Sequence, residues 1–330
     1  MQTRQLGTTG PTVSALGLGA MGMSDAYGPT DRAESIATVH AALDAGVTLI
    51  DTGDFYAMGH NELLLGEALR GRPRDSYALS VKFGVLRGPG GGFGVDGRPE
   101  AVRNFLGYSL TRLGVDHVDV YRLARLDPAV PIEDTVGAIA ELVEAGYVRH
   151  LGLSEVDAAT VRRAHAVHPV ADLQIEYSLL SRAIEAEVLP TLRELGIGVT
   201  AYGVLSRGLL SGRWRPAPGD ARSVMPRFAE ENVAHNLALV EGLRPIATAR
   251  GCSMAQLAIA WVAAQGNDIV PLVGARRRDR LTEALGALKV KLSPAHLANL
   301  AAAFPPGAAA GARYPDSQLA HMDSEKRKSA

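Results

Sequence analysis

Eight short, β-prone apolar runs recur along the chain, and the segments between them carry apolar residues at helical spacing. The runs are SALGLGA (14–20), VTLIDT (47–52), YALSVKF (77–83), VDVYRL (118–123), VRHLGLS (148–154), DLQIEY (172–177), IGVTAYG (197–203) and DIVPLVG (268–274). Helical spacing is clearest in RAESIATVHAALDAG, NELLLGEALRG, EDTVGAIAELVEAG and MAQLAIAWVAAQG,. Several such segments close on a glycine (Gly46, Gly71, Gly146, Gly196), as helix C-termini often do,. Strict alternation implies parallel strands with right-handed crossovers, and eight units favour a closed (β/α)8 TIM barrel over an open doubly wound sheet. A prior of ~150 residues per domain would allow two domains in 330 residues,. No linker divides the chain, however, so one domain is expected over 1–330, with a core from about 3 to 305 and a polar tail from about 306 to 330,. The tail ends in AHMDSEKRKSA and is expected to fray,.

Ahead of the first barrel strand, TRQLGTTGPTVSA reads as a short β-hairpin turning at Thr9-Gly10, placed to cover the barrel bottom,. Two loops exceed what the fold needs, 86–99 after the third strand and 206–228 after the seventh. Both follow strand C-termini, the face where barrel active sites lie, and read either as walls of a substrate pocket or as mobile connectors.

Composition narrows the function classes. Thirty-four basic against 35 acidic residues, a net charge of -1, give no reason to expect nucleic acid, membrane or a polyanionic substrate,. One cysteine, Cys252, excludes an intrachain disulfide and a Cys-based zinc site, and it reads as a packing residue,. No His/Asp/Glu cluster has metal-ligand spacing, so no metal is expected,. The N-terminus lacks a signal-peptide pattern and no apolar run is long enough to span a bilayer, so a cytoplasmic protein is expected,.

Only five of the basic residues are lysines, and Lys82 is the only one in the first 288 positions. It closes the apolar run YALSVKF, and a compact ammonium with an adjustable pKa is not replaceable there by a guanidinium,. LIDTGDFY places Asp51 at the end of the second strand, with Tyr56 five residues on. A tyrosine hydroxyl can protonate a carbonyl oxygen, but its pKa of about 10 makes the phenolate costly to leave behind. A neighbouring ammonium lowers that pKa, and a carboxylate holds the ammonium charged and oriented. Two readings remain open from the residues alone: a general acid with two tuners, or a barrel-mouth ion pair beside a stacking tyrosine. A third use of Lys82 is as the amine nucleophile of a Schiff-base enzyme. LGLGAMGMS also contains G-x-G-x-x-G (Gly17, Gly19, Gly22), but a lone match without the acidic residue in context is weak support for an open-sheet dinucleotide fold,.

LGLGAMGMS, LIDTGDFY, SVKFG, GLSEV, LQIEYSLL, AYGVLSRGLLSG and PLVGARRRDRL, in this order, resemble the motifs of the aldo-keto reductases over residues from about 3 to 305. The resemblance implies a (β/α)8 barrel that binds NADPH/NADP+ across its mouth and reduces a small aldehyde or ketone without a metal. It implies Asp51, Tyr56 and Lys82 as catalytic residues, with Tyr56 the proton donor. The family's catalytic histidine, within a pattern like YQLHRxDP, falls on Ala124 of YRLARLDP, and none of the nine histidines replaces it by local register. Losing one preorganised donor costs on the order of 10²–10³ in rate. The substrate's own polar group, Arg122 or a water is expected to stand in; the alternative is a slow NADP(H)-binding regulatory module.

By the same resemblance, Ser154 and Gln174 hold the nicotinamide carboxamide, Tyr202 stacks on the ring, and Gly19 and Met21 line it, with Asp51 adjacent. Leu205, Arg207 and Gly208 approach the pyrophosphate. Gly274 opens the run after the eighth strand, where Arg276 and Arg280 meet the 2′-phosphate and Glu283 the adenine. A guanidinium suits bidentate phosphate contact, so NADPH is expected over NADH. Glu155 stands where many members have Asn, and Gly203 where a serine is frequent.

Overall fold

The computed structural model describes residues 1–89, 92–215 and 221–325. In chain order its strands are β1 (Thr3–Gln5), β2 (Thr12–Ser14), β3 (Gly17–Gly19), β4 (Leu49–Gly53), β5 (Ala78–Phe83), β6 (Val85–Arg87), β7 (Phe93–Val95), β8 (Val118–Leu123), β9 (Val148–Ser154), β10 (Val170–Glu176), β11 (Gly198–Tyr202) and β12 (Ile269–Gly274). Eight of them close a barrel in the order β10-β11-β12-β3-β4-β5-β8-β9, every neighbouring pair parallel. Helices α1 (Arg32–Asp44), α2 (His60–Leu69), α3 (Pro99–Leu113), α4 (Ile132–Glu144), α5 (Ala158–Val167) and α6 (Val188–Glu194) follow the successive barrel strands β3 to β10. They are succeeded by α7 (Glu230–Glu241), α8 (Leu243–Ala249), α9 (Met254–Ala263), α10 (Arg278–Gly286), α11 (Pro294–Ala303) and α12 (Asp316–Leu319). The expected (β/α)8 barrel is therefore the fold. Strands buried on both faces need apolar residues throughout, which is why β4, β5 and β10 read as unbroken buried runs,.

Local signals set the helix ends. The Asp31 and Asp157 side chains accept from the backbone of Glu34 and Thr160, and Ser253 and Gln256 form a reciprocal capping box before α9,. The first expected strand is cut in two. Ser14 pairs with Thr3 in the β1–β2 hairpin, and only Gly17–Gly19 join the barrel, because the turn at 15–16 redirects the chain from one sheet into the other. That hairpin closes the bottom: Leu6 and Val13 pack on Leu49, Ala78 and Val270, and the Arg4 guanidinium bonds the carbonyls of Ala263 (2.8 Å) and Gly266 (3.0 Å).

Above the mouth, the 86–99 loop contributes a second hairpin, β6–β7; its residues 90–91 lie outside the described residues. The 206–228 loop contains short 3-10 turns at Ser206–Ser211, Ala221–Val224 and Pro226–Phe228; its residues 216–220 lie outside the described residues. The tail overturns the expectation of fraying as far as residue 325. Met322 and Asp323 are buried, and Asp323 accepts from the Asp157 backbone (3.1 Å) and the Thr160 hydroxyl (2.7 Å). Arg313, Asp323 and Glu325 find their partners inside the fold; residues 326–330 lie outside the described residues.

Candidate active site

β4 and β5 run side by side with Asp51 opposite Ser80 and Gly53 opposite Lys82, which brings both charged side chains to the strand C-termini. There Lys82 Nζ donates to Asp51 Oδ1, while Asp51 Oδ2 accepts from Ser80 Oγ (2.6 Å) and Gln174 Nε2 (2.8 Å). Tyr56 follows β4 after three residues and opens a 3-10 turn in which Ala57 and Met58 have left-handed φ values of 46° and 54°. Backbone strain of this kind in non-glycine residues costs on the order of 1–3 kcal/mol each and persists only where the surroundings impose it. It holds Tyr56 against Lys82, whose Nζ lies 5.1 Å from the ring centroid.

The electrostatics differ from the simple expectation. Burial, reinforced by the Asp51 carboxylate, raises the Tyr56 phenol well above 10; the ammonium does not bring it down. Burial also pushes Lys82 down to about 8, against the pull of Asp51. Desolvation outweighs the pairwise attraction because both groups sit inside the barrel rim, where the charged forms lose water. Tyr56 is thus held as a phenol, a proton donor, beside an amine that titrates near neutrality.

Ala124 follows β8 and is fully buried, its N–H donating to Phe83 O (2.9 Å). Arg122 is not a free donor at this place. Its Nη2 is bidentate to Asp172 (2.8 and 2.9 Å), and its Nη1 reaches Asp51 at 3.5 Å. Lys82, Asp51, Arg122 and Asp172 form a buried ladder of alternating charge across the barrel interior, ending on the Thr200 hydroxyl, which donates to Asp172. A Cβ at position 152 would come within 2.8 Å of Asp172 Oδ1 and 3.0 Å of Arg122 Nε, so Gly152 makes room for the pair. Asp172 was invisible as a site residue in the sequence, although an acid opening an apolar strand and a lone arginine inside another were the available signals.

The remaining expected residues all lie at strand C-termini or just beyond them. Gly19 ends β3, paired with Asp51 and Gly274; Met21 opens the next 3-10 turn; Ser154, Gln174 and Tyr202 belong to the ends of β9, β10 and β11. Ser154 is buried where β9 ends. Leu205, Arg207 and Gly208 form a turn with left-handed Arg207 (φ 54°) and Gly208 (φ 99°). The Arg207 guanidinium turns inward, 3.7 Å from Glu176 and 4.2 Å from the Tyr314 ring centroid. Gly274 ends β12. Arg276 donates to Gly28 O (2.7 Å), Arg280 to Glu283 (3.2 Å), and Glu283 is also held bidentately by Arg213 (2.7 and 2.9 Å). Arg276 borders a cleft of about 760 Å³ whose other wall includes Thr30 and Glu34.

Glu155 has a different role from the asparagine it replaces. It is fully buried with φ 54°, and its carboxylate accepts from Arg313, the Ser324 hydroxyl (2.6 Å), the Tyr202 hydroxyl (2.7 Å) and the Glu176 backbone (3.0 Å). Burial would raise its pKa, but Arg313, with help from Arg125 and the Ser324 hydroxyl, holds it far below the usual carboxylate range. Tyr314 follows on, its hydroxyl 3.1 Å from that of Tyr202. Gly203 (φ 67°) leaves space that a Cβ would take from the Glu176 side chain, at 2.8 Å.

Comparison with known proteins agrees with this geometry. The profile of the aldo/keto reductase family matches residues 15–304. The chain belongs to that family. An aldo-keto reductase described as probable aldo-keto reductase 1 from Glycine max is 41% identical over 318 residues, covering 95% of this chain and 92% of that protein. Among solved structures, the glycerol dehydrogenase AKR11B4 from Gluconobacter oxydans matches with a TM-score of 0.84 at 28% identity, over 92% of this chain and 96% of that one. The aldo-keto reductase AKR11C1 from Bacillus halodurans matches with a TM-score of 0.78 at 26% identity, over 99% and 100%. As an aldo-keto reductase the chain is an oxidoreductase acting on carbonyl groups, with a small molecule as substrate. Among the described residues no helix is long and apolar enough to cross a membrane.

Proposed function

We propose that this aldo-keto reductase reduces an aldehyde or ketone to the alcohol with NADPH, and that Tyr56 gives the proton. The observation that carries this is the convergence of Tyr56, Lys82 and Asp51 at the barrel mouth, the phenol held protonated and the ammonium 5.1 Å from its ring. The residues fit a dinucleotide. Ser154 closes β9 at the rim, Gly19 and Gly274 offer bare backbone, and arginines cluster where a 2′-phosphate would arrive. Ser154 and Gln174 would hold the carboxamide, Tyr202 and Met21 the ring, Leu205, Arg207 and Gly208 the pyrophosphate, and Arg276, Arg280 and Glu283 the adenosine end. NADPH supplies the hydride when bound.

Everything else in the reaction falls to the side chains. The Tyr56 hydroxyl donates its proton to the carbonyl oxygen as charge develops there. Lys82 stabilises the phenolate that forms and returns a proton to it, and Asp51 keeps Lys82 cationic and in place. The Asp51 pairing also counts against Lys82 as a Schiff-base nucleophile, since below about pH 8 the amine carries its proton,. The fully buried methyl of Ala124, where a hydrogen-bond donor is expected, favours a second reading: an NADP(H)-binding regulatory module with slow turnover.

The test follows loss of reduced-nicotinamide absorbance with NADPH and NADH over a panel of aldehydes, α-keto esters and quinones. Turnover that prefers NADPH and falls at least 10²-fold in Tyr56→Phe supports the reductase. Tight NADPH binding without turnover on any carbonyl supports the regulatory module.

A further inference from the structure

Every cation inside the barrel mouth has a carboxylate beside it, with one exception. Lys82 has Asp51, Arg122 has Asp172, Arg207 and Arg227 share Glu176, and Arg313 has Glu155. Arg125 forms no ion pair among the described residues. Its guanidinium makes one hydrogen bond, Nη1 to the carbonyl of Ala124 (2.6 Å), which curls the side chain back over the end of β8. The residue is half-buried, and its charge acts on Tyr56, Lys82, Tyr202, Tyr314 and Glu155, all groups at the mouth. Glu155 is the carboxylate that acts on it, but Glu155 is already ion-paired to Arg313, so no carboxylate among the described residues takes up the planar fork of Arg125, a shape that matches a carboxylate,.

Barrel order says which side of the mouth the missing anion comes from. β12, which leads to Gly274 and Arg276, and β8, which leads to Ala124 and Arg125, stand four strands apart in the eight-strand ring, on opposite sides of the mouth. The phosphate-binding residues expected for a dinucleotide lie around β11 and β12, so Arg125 faces the space left for the substrate. It also sits one residue from the position where a hydrogen-bond donor is missing.

We propose that Arg125 receives a carboxylate carried by the carbonyl substrate, so that the natural substrates are oxo-acids whose own charge orients the carbonyl toward Tyr56. This rests on the reductase reading. It makes Arg125 a specificity-determining residue.

The experiment compares 2-, 3- and 4-carboxybenzaldehyde with their methyl esters under NADPH, in the wild type, Arg125→Met, Arg125→Lys and Arg103→Met, an exposed site on α3. A charge-assisted hydrogen-bonded contact predicts that at least one acid exceeds its ester about 10- to 100-fold in kcat/KM, chiefly through KM. The ratio falls to about one in Arg125→Met, stays intermediate in Arg125→Lys and is retained in Arg103→Met. Equal wild-type values for all three pairs, or a ratio that survives Arg125→Met, overturns the proposal while leaving the reductase reading intact. Should Arg125→Met not fold, the wild-type ratio and Arg125→Lys decide. If no aldehyde is consumed at all, benzoate is titrated by intrinsic fluorescence. Binding lost in Arg125→Met then keeps the anion site and removes the reductase, and no binding removes both.

Discussion

Glu155 and Arg313 stand 158 positions apart in the chain and close on each other in the dry roof of the barrel mouth. The pair ties the segment that carries Tyr314 onto Tyr202, the residue expected to stack on the nicotinamide. Glu155→Gln takes one buried carboxylate from Arg313, which keeps Glu325 (2.6 Å) and Glu176 (3.4 Å) as partners. The change is therefore expected to cost about 1–3 kcal/mol, read as a lowered midpoint in urea unfolding, and to expose the tail after residue 305 to limited proteolysis. Because the folded carboxylate titrates below its ordinary 4.5, its stabilisation is present above pH 4.5 and is lost as pH falls through the depressed value,. Wild type should lose stability on acidification below pH 4.5 more steeply than Glu155→Gln.

On the proposed mechanism, Lys82 is expected to set the alkaline limit of activity. Its pKa of about 8 lies below the ordinary 10.5, so raising the pH through 8 removes the ammonium that stabilises the Tyr56 phenolate. The expected kcat/KM for reduction is flat at lower pH and falls about tenfold per pH unit well above 8. Lys82→Met should lose that limb together with most of the activity.

Ala124→His tests the missing donor directly. With neutral aldehydes the imidazole is expected to raise kcat about 10- to 100-fold, part of what one preorganised donor contributes. The residue is fully buried and Arg125 bonds its carbonyl, so a melting curve should accompany the kinetics.

Arg122 and Asp172 are both fully buried and hold each other bidentately. Arg122→Met alone is expected to cost about 3–5 kcal/mol, because Asp172 is left charged and unpaired. The double change Arg122→Met with Asp172→Leu should recover most of that loss, since replacing a buried pair by packed apolar groups is often close to neutral. Recovery is read from urea unfolding; loss that simply adds would show that the pair is not the source of the cost.

The barrel was legible because period and length are local properties. β8 and β9 carry the expected bounds 118–123 and 148–154, and the other barrel strands below the first differ by one or two residues at an end. The split at Ser14 and Gly17 was not legible, because an apolar run does not record which of two sheets accepts its backbone hydrogen bonds. Asp51, Tyr56 and Lys82 stood out because a polar residue closing an apolar strand must face the mouth. Their charge states did not, since burial decides them.

Periodicity, chain length and the placement of rare polar residues determined by themselves that this chain is an eight-fold parallel barrel with an acid, a phenol and an amine at one end. Tertiary structure alone decided the partners of each charge. It gave Arg122 to Asp172, bound Glu155 to a tail read as loose, raised the Tyr56 phenol where an ammonium was expected to lower it, and left Arg125 without an ion pair among the described residues. The reason is physical: hydrophobic period is written along the chain, whereas desolvation and ion pairing depend on distances between residues that only folding brings together.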